Sequence, residues 1–155
     1  AAPAPAARPA AAPAPAAPAP QVAAATPANA DAQYDQAYSL LLKRDYAGAE
    51  AALRSFTQAN PAHAKTPDAN YWLGETYFVR EDYAQAARAF AAGYQQHPKH
   101  ERASSNLLKM GLSLKALERK PDACVTFARL LEEFPSAPAN IRDRAQTERK
   151  ALACA

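Results

Sequence analysis

The stretch NYWLGETYFVREDYAQAARAF, residues 70–90, contains two runs of helix-spaced apolar residues separated by the acidic pair Glu81-Asp82. In the first run, large aromatic side chains alternate with polar ones at intervals that suit one face of a helix. Asp82 is a residue type preferred at an N-cap, and it stands directly before the second run, which begins at Tyr83. The stretch therefore predicts two helices joined by a short turn.

The same arrangement recurs at an interval of 37 residues, which separates Pro61, Pro98 and Pro135. Upstream of each proline, small residues occupy two matching positions and bulky apolar residues occupy two others. These sets are Ala37, Gly74 and Gly111; Ala49, Ala86 and Ala123; Leu40, Tyr77 and Leu114; and Leu53, Phe90 and Phe127. Because small residues let helix backbones approach and bulky ones fill the space between them, each unit predicts a pair of antiparallel helices.

The chain is therefore expected to be an all-α solenoid of three helix pairs followed by a capping helix. We place the folded domain at residues 31–155, with repeats at about 31–61, 68–98 and 104–135. The capping helix is expected at about 139–152, where Ile141, Ala145 and Leu152 form one apolar side. Such a helix would cover the last open core surface of the stack.

Residues 1–30 differ in composition, because they hold 8 of the 14 prolines and little else but alanine. A segment without large side chains buries too little surface to offset the entropy of folding. We expect a disordered linker here. The alternative is a Pro-rich ligand for a partner's groove, but the basic residues that usually flank such ligands are missing.

Composition narrows the function classes. The chain has 155 residues with 18 Lys and Arg against 15 Asp and Glu, and this near balance argues against a nucleic-acid binder. No apolar run is long enough to span a bilayer, so we expect a protein that does not cross a membrane. The sequence begins without Met, and we interpret it as a mature or truncated chain whose signal peptide lies upstream.

Catalytic and metal sites are not expected. His63, His97 and His100 fall in loops after the predicted repeats, with no cysteine or paired carboxylates nearby to complete a metal site. No serine lies in a nucleophile motif, and the glycines do not form a phosphate-binding loop. We therefore expect no enzymatic activity, no metal and no cofactor.

The two cysteines lie on neighbouring antiparallel helices. Cys124 is near the start of the last repeat helix and Cys154 is near the end of the capping helix, so their ends could meet in a disulfide. On an ideal helix, Cys154 points away from the apolar side of the capping helix, so the bond requires that the last turn frays. The alternative is a buried thiol at Cys124 and a free one at Cys154. The spacing does not fit a CxxC redox or zinc site.

The small positions, the closing proline and the Gly/Tyr/Ala/Phe positions resemble tetratricopeptide (TPR) repeats, with 37 residues per unit here. The longer segments YWLGETYFVREDYAQAARAF and GYQQHPKHERASSNLLKMGLSL resemble more closely the C-terminal domain of the periplasmic Tol-Pal system protein family YbgF, also called the cell division coordinator CpoB. The likeness extends from about Tyr34 to Cys154. The Ala/Pro-rich spacer in front of this region adds to the resemblance.

This resemblance implies a non-catalytic periplasmic adaptor that binds the Tol protein TolA. Through TolA it would coordinate outer-membrane constriction with septal peptidoglycan synthesis during cell division. Members of that family carry an N-terminal coiled coil that trimerises, a segment not contained in these residues, so the resemblance also implies a homotrimer formed through an upstream coiled coil. The alternative function is an envelope-assembly TPR factor that handles outer-membrane proteins or lipoproteins.

The repeat register predicts a partner-binding groove along the first helices. Its residues are Tyr34, Tyr38 and Leu41 in the first unit, Tyr71, Glu75 and Phe78 in the second, and Leu108, Leu112 and Lys115 in the third. Aromatic side chains on such a wall offer a large contact area at a small cost in conformational entropy. The alternative for any of them is a place in the core or beneath the chain's own loops, and we expect Trp72 to lie mainly in the core.

Overall fold

The computed structural model describes residues 27–155, and it consists there of seven helices without a strand. The helices are α1 (Pro27–Leu42), α2 (Tyr46–Ala59), α3 (Thr66–Val79), α4 (Tyr83–Gln96), α5 (Ala103–Ala116), α6 (Lys120–Glu133) and α7 (Ala139–Ala151). They form three pairs and a terminal helix, so the predicted all-α repeat fold is confirmed. Most of the predicted linker, residues 1–26, lies outside the described residues.

Helices α2 and α4 begin at aspartates whose side chains cap them. The side chain of Asp45 accepts a hydrogen bond from the Gly48 amide at 3.0 Å, and Asp82 accepts one from the Gln85 amide at 3.2 Å. Helix α6 instead has Pro121 in its first turn, where a missing N–H costs nothing. Helix α1 begins at Pro27, upstream of the predicted domain start at residue 31.

Each first helix ends in the same unusual backbone conformation. Arg44, Glu81 and Glu118 follow α1, α3 and α5, and their φ angles are 60°, 61° and 59°. The left-handed region allows the next amide to bond back to a carbonyl of the last turn, as Asp82 N does to Tyr77 O at 3.0 Å. The 37-residue repeat is therefore present in the backbone as well as in the side chains.

A small residue on each first helix faces a bulky residue on its partner helix. A Cβ atom added to Gly74 would lie 2.5 Å from Cε1 of Phe90, and one added to Gly111 would meet the ring of Phe127 in the same way. In the first pair, Ala37 takes the glycine position and the smaller Leu53 replaces phenylalanine; both are fully buried in one cluster. The size of one residue thus matches the size of the other in every repeat.

Contacts between repeats differ between the first and the second helices. Every helix packs against the next one along the chain, and first helices also touch across repeats, α1 with α3 and α5 with α7. The second helices α2, α4 and α6 show no comparable contact with one another among the described residues. We call the side formed by the first helices the inner face and the side formed by the second helices the outer face.

A disulfide fastens the C-terminal end. Cys124 on α6 and Cys154 are bonded, with Cα atoms 5.6 Å apart. Helix α7 ends at Ala151, and Ala153 has a φ angle of 50°, which turns the chain back before Cys154. The fraying that the sequence required of this last turn is therefore present. Ala145 and Glu148 are the buried residues of α7, beside the partly buried Ile141 and Leu152.

Candidate protein-binding face

The inner face begins with packed aromatic rings between α1 and α3. Tyr38 lies 5.3 Å from Trp72 between ring centroids, and Tyr71 lies 5.1 Å from Trp72 with its edge toward the indole. Trp72 is partly buried and packs against the N-terminal core cluster. These rings join the first two repeats through side chains that remain partly accessible.

Two cations, one on α5 and one directly before it, contact aromatic side chains of the second repeat. Arg102 forms an ion pair with Asp68 at 2.7 Å, and its guanidinium lies 4.8 Å from the Tyr71 ring centroid. Lys109 pairs with Glu75 at 2.9 Å and lies 4.6 Å from the centre of the Phe78 ring. Each cation therefore contacts a carboxylate and an aromatic face at once, which fixes the spacing of α3 and α5.

Ion pairs continue the connection from α5 to α7. Glu148 accepts hydrogen bonds from Lys115 at 2.5 Å and from Arg144 at 2.7 Å, and its carboxylate is almost completely buried. Burial acts to raise the pKa of Glu148, but the hydrogen bonds from Lys115 and Arg144 outweigh it, so the pKa lies below its usual value. The third repeat and the terminal helix are thus held together by an ionised carboxylate.

Two of the predicted groove residues belong to the core. Tyr34 is 8% exposed, because its ring packs edge-on against Phe56 and is covered by the ammonium group of Lys65. Leu108 is 7% exposed and is part of the C-terminal core cluster. Both side chains are held in the contact with the next helix, so neither is available on the inner face.

The remaining predicted residues stay at least partly accessible. Tyr38, Leu41, Tyr71, Phe78 and Leu112 are half-buried. Glu75 and Lys115 carry the ion pairs described above. Burial, followed by the nearby charge of Glu75, raises the pKa of Tyr71 to about 12, so its hydroxyl is un-ionised at physiological pH. The inner face therefore presents half-buried rings and paired charges.

The sequence interpretation missed two exposed apolar residues. Leu42 and Val79 are 69% and 48% exposed at the ends of α1 and α3. They follow Tyr38 and Glu75 by one helical turn, and the interval of 37 residues relates them to each other. Continuing the predicted groove by one helical turn to the helix ends would have identified them.

Metal sites and membrane-spanning helices were the other features expected to be missing from the sequence. No group of three or more His, Cys, Asp or Glu side chains is placed there to hold a metal ion. In the same part of the chain, no helix has the length and apolar character needed to cross a bilayer.

Comparison with known proteins agrees with the helical architecture. Residues 105–137 match the tetratricopeptide repeat family, and this segment corresponds to the pair α5 and α6. No curated protein is similar enough to the chain to count as a match. The matched repeat and the recurrence of its geometry in the other two pairs support a TPR protein, and TPR domains typically serve protein–protein interaction without catalysis.

Proposed function

We propose that this chain is a non-catalytic periplasmic adaptor of the Tol-Pal system, and that its inner face binds a segment of TolA. In that role it coordinates outer-membrane constriction with septal peptidoglycan synthesis during cell division. TolA and the division role come from the resemblance of residues 34–154 to the YbgF/CpoB family. The repeat fold supports the broader part of the proposal, which is the binding of a protein partner.

The observation that carries the binding role is the accessible apolar surface at the ends of the first helices. Leu42 and Val79 are 69% and 48% exposed at equivalent places on consecutive repeats. Large aliphatic side chains that recur from repeat to repeat suit a helix or extended segment bound along a solenoid. Their burial by a partner would contribute to affinity, whereas the neighbouring ion pairs would fix orientation.

The periplasmic assignment is supported by the disulfide between Cys124 and Cys154. Disulfides form and persist in oxidising compartments, and the bacterial periplasm is one of them.

The proposal is tested by titrating purified TolA into the purified chain by isothermal calorimetry. Leu42→Ser and Val79→Ser should together weaken binding about tenfold or more, because two apolar contacts are lost. Gln58→Ser is the control: Gln58 is exposed but lies on α2 at the outer face, so the variant should bind TolA normally.

Two results would count against the proposal. Absence of TolA binding, with capture of an unfolded outer-membrane β-barrel protein instead, would favour the envelope-assembly function. TolA binding that Leu42→Ser and Val79→Ser leave unchanged, with intact helical circular dichroism, would keep the partner but remove the inner face from the interaction.

A further inference from the structure

The joint between the first and second helix pairs is closed by a polar network on the outer face. Glu50 on α2 accepts hydrogen bonds from Arg80 at 2.5 Å, from Arg54 at 2.8 Å and from the Tyr77 hydroxyl at 3.2 Å. Arg54 also hydrogen-bonds to Tyr77. Four long side chains, from α2, from α3 and from the residue after α3, therefore fill this joint.

The next joint has none of these groups. The residues 37 positions further along from Glu50, Arg54, Tyr77 and Arg80 are Ala87, Ala91, Leu114 and Leu117. All four line a cleft of about 390 Å³ between α4 and α6, with α5 as its floor. Two alanines and two leucines thus replace three charged residues and a tyrosine at equivalent places, and a space opens between the helices.

The joint after that one is closed covalently. Cys124 follows Ala87 by 37 residues, and it is bonded to Cys154 at the end of α7. The disulfide spans 30 residues, the same separation as the ion pair between Glu50 and Arg80. The first and last joints are therefore fastened at the same place, one by charge and one by a disulfide, and the middle one is open.

The open cleft has a basic rim around apolar side chains. Val125 and Leu117 are 61% and 37% exposed within it. Arg88, Arg119 and Arg129 line the cleft with a single acidic residue, Asp122, which pairs with Arg119 at 2.8 Å. Arg129 also pairs at 3.7 Å with Glu133, which lies outside the cleft lining, whereas Arg88 hydrogen-bonds to the neutral Gln85. The lining residues thus carry a net charge of +2, from three arginines minus one aspartate.

We propose that this cleft is a second binding site, on the opposite side of the stack from the inner face, for a peptide segment with leucine-like side chains flanked by acidic residues. The apolar floor takes the aliphatic side chains, and the rim arginines pair with the acidic flanks. Residues 1–26 of this chain do not meet that description, because they contain no acidic residue and one arginine, Arg8. The occupant is therefore a segment of a partner protein.

A variant that tests the site can be designed from the residues of the first joint. Replacing Ala87→Glu, Ala91→Arg, Leu114→Tyr and Leu117→Arg transfers the network of the first joint into the second and fills the cleft with groups that already pack together in this fold. Val125→Glu is a simpler second variant, because a carboxylate there replaces an apolar contact and repels the acidic flanks, and Val125 is too exposed to be needed for folding.

The probe is a fluorescein-labelled synthetic peptide of leucines flanked by aspartates, followed by fluorescence anisotropy against the disulfide-bonded chain. A counterpart flanked by lysines has the same apolar content. We expect the aspartate peptide to bind at least about tenfold more tightly than the lysine peptide and to lose affinity as salt rises. Both variants should reduce its binding about tenfold or more, whereas Leu42→Ser and Val79→Ser on the inner face should leave it unchanged.

Three results would overturn the proposal. The first is that the two peptides bind equally, and the second is that the aspartate peptide binds Val125→Glu as well as the unaltered chain. The third is a concentration-dependent dimer in sedimentation that the variants abolish and the aspartate peptide does not compete with. The occupant would then be a second copy of this chain. Loss of TolA binding with retained peptide binding would separate failure of the proposed function from failure of this one.

Discussion

The ring of Phe90 lies against Gly74 so closely that a single added methyl group would come within 2.5 Å of its Cε1 atom. Gly74→Ala should therefore destabilise the domain by about 1–3 kcal/mol, because overpacking outweighs the gain of roughly 1 kcal/mol in helix propensity. The check is urea unfolding followed by circular dichroism.

The first repeat supplies the compensating change, since Ala37 and Leu53 take the same two positions there. Adding Phe90→Leu to Gly74→Ala should restore part of the lost stability. Phe90→Leu alone should be destabilising, so the two substitutions are expected to be strongly non-additive. Additive losses would show that the close contact between Gly74 and Phe90 does not control packing of this pair.

The disulfide should contribute mainly to the C-terminal part of the stack. Closing a loop of 30 residues corresponds to about 3–4 kcal/mol in the chain-entropy description. Replacing Cys124 and Cys154 with serine should therefore lower the free energy of unfolding by up to about this amount. Hydrogen exchange should rise first in α7, while α2 and α3 stay protected.

A mass measurement without reductant provides the control, because the bonded chain is lighter than the reduced one by the mass of two hydrogens. If α7 exchanges no faster in the serine variant, the disulfide is not what holds that helix.

Stability should fall in acid because of buried carboxylates. The pKa of Glu148 lies below the ordinary value of 4.5, and the pKa of Glu50 does so as well: burial acts to raise it, but hydrogen bonds from Arg80 and Tyr77 outweigh that effect. A carboxyl group with a lower pKa in the folded chain binds protons less readily there than in the unfolded chain. Its stabilising contribution is therefore complete above about pH 4.5 and is lost as the pH falls through the lowered pKa.

Glu148→Gln should accordingly cost on the order of 1–3 kcal/mol at pH 7 and flatten the fall in stability below pH 4.5. Urea midpoints measured across this pH range give the comparison, with exposed Glu132→Gln as the control. If the free energy of unfolding falls equally steeply with pH in Glu148→Gln and in the unaltered chain, the pKa of Glu148 is the same in the folded and unfolded states.

Glycine should be stabilising at the turn after α3. Glu81 is exposed and has a φ angle of 61°, a conformation that costs an ordinary residue roughly 1–2 kcal/mol. Glu81→Gly should raise the free energy of unfolding by about 0.5–1 kcal/mol, after the greater entropy of glycine in the unfolded chain is deducted. Glu132→Gly, in the last turn of α6, should instead be destabilising, and the opposite ranking in thermal unfolding would contradict the assigned backbone.

The sequence predicted those features that depend on local chemistry. The N-caps at Asp45 and Asp82 and the small residue facing Phe90 are visible as residue types at fixed intervals. For Tyr34 and Leu108 the sequence left the groove and the core as alternatives, because an ideal helix presents their positions toward the groove and only packing with the neighbouring helix encloses them.

Contacts between repeats were the least predictable. The arrangement of Arg102 over Tyr71 depends on a side chain from the preceding loop of another repeat, and the sequence does not indicate its direction. The outer cleft also arises from a difference between joints. Ala87 leaves a space at the position where Glu50 fills the equivalent place one repeat earlier. Such differences appear when the repeats are compared position by position in three dimensions.

The most direct test of the central claim, that the first helices form a partner-binding face, is site-specific photo-crosslinking to purified TolA. A benzophenone amino acid is introduced in turn at Leu42, at Val79 and at the exposed outer-face residue Gln58. We expect TolA crosslinks from Leu42 and from Val79, and none from Gln58. Crosslinks from Gln58, with none from either inner-face position, would contradict it.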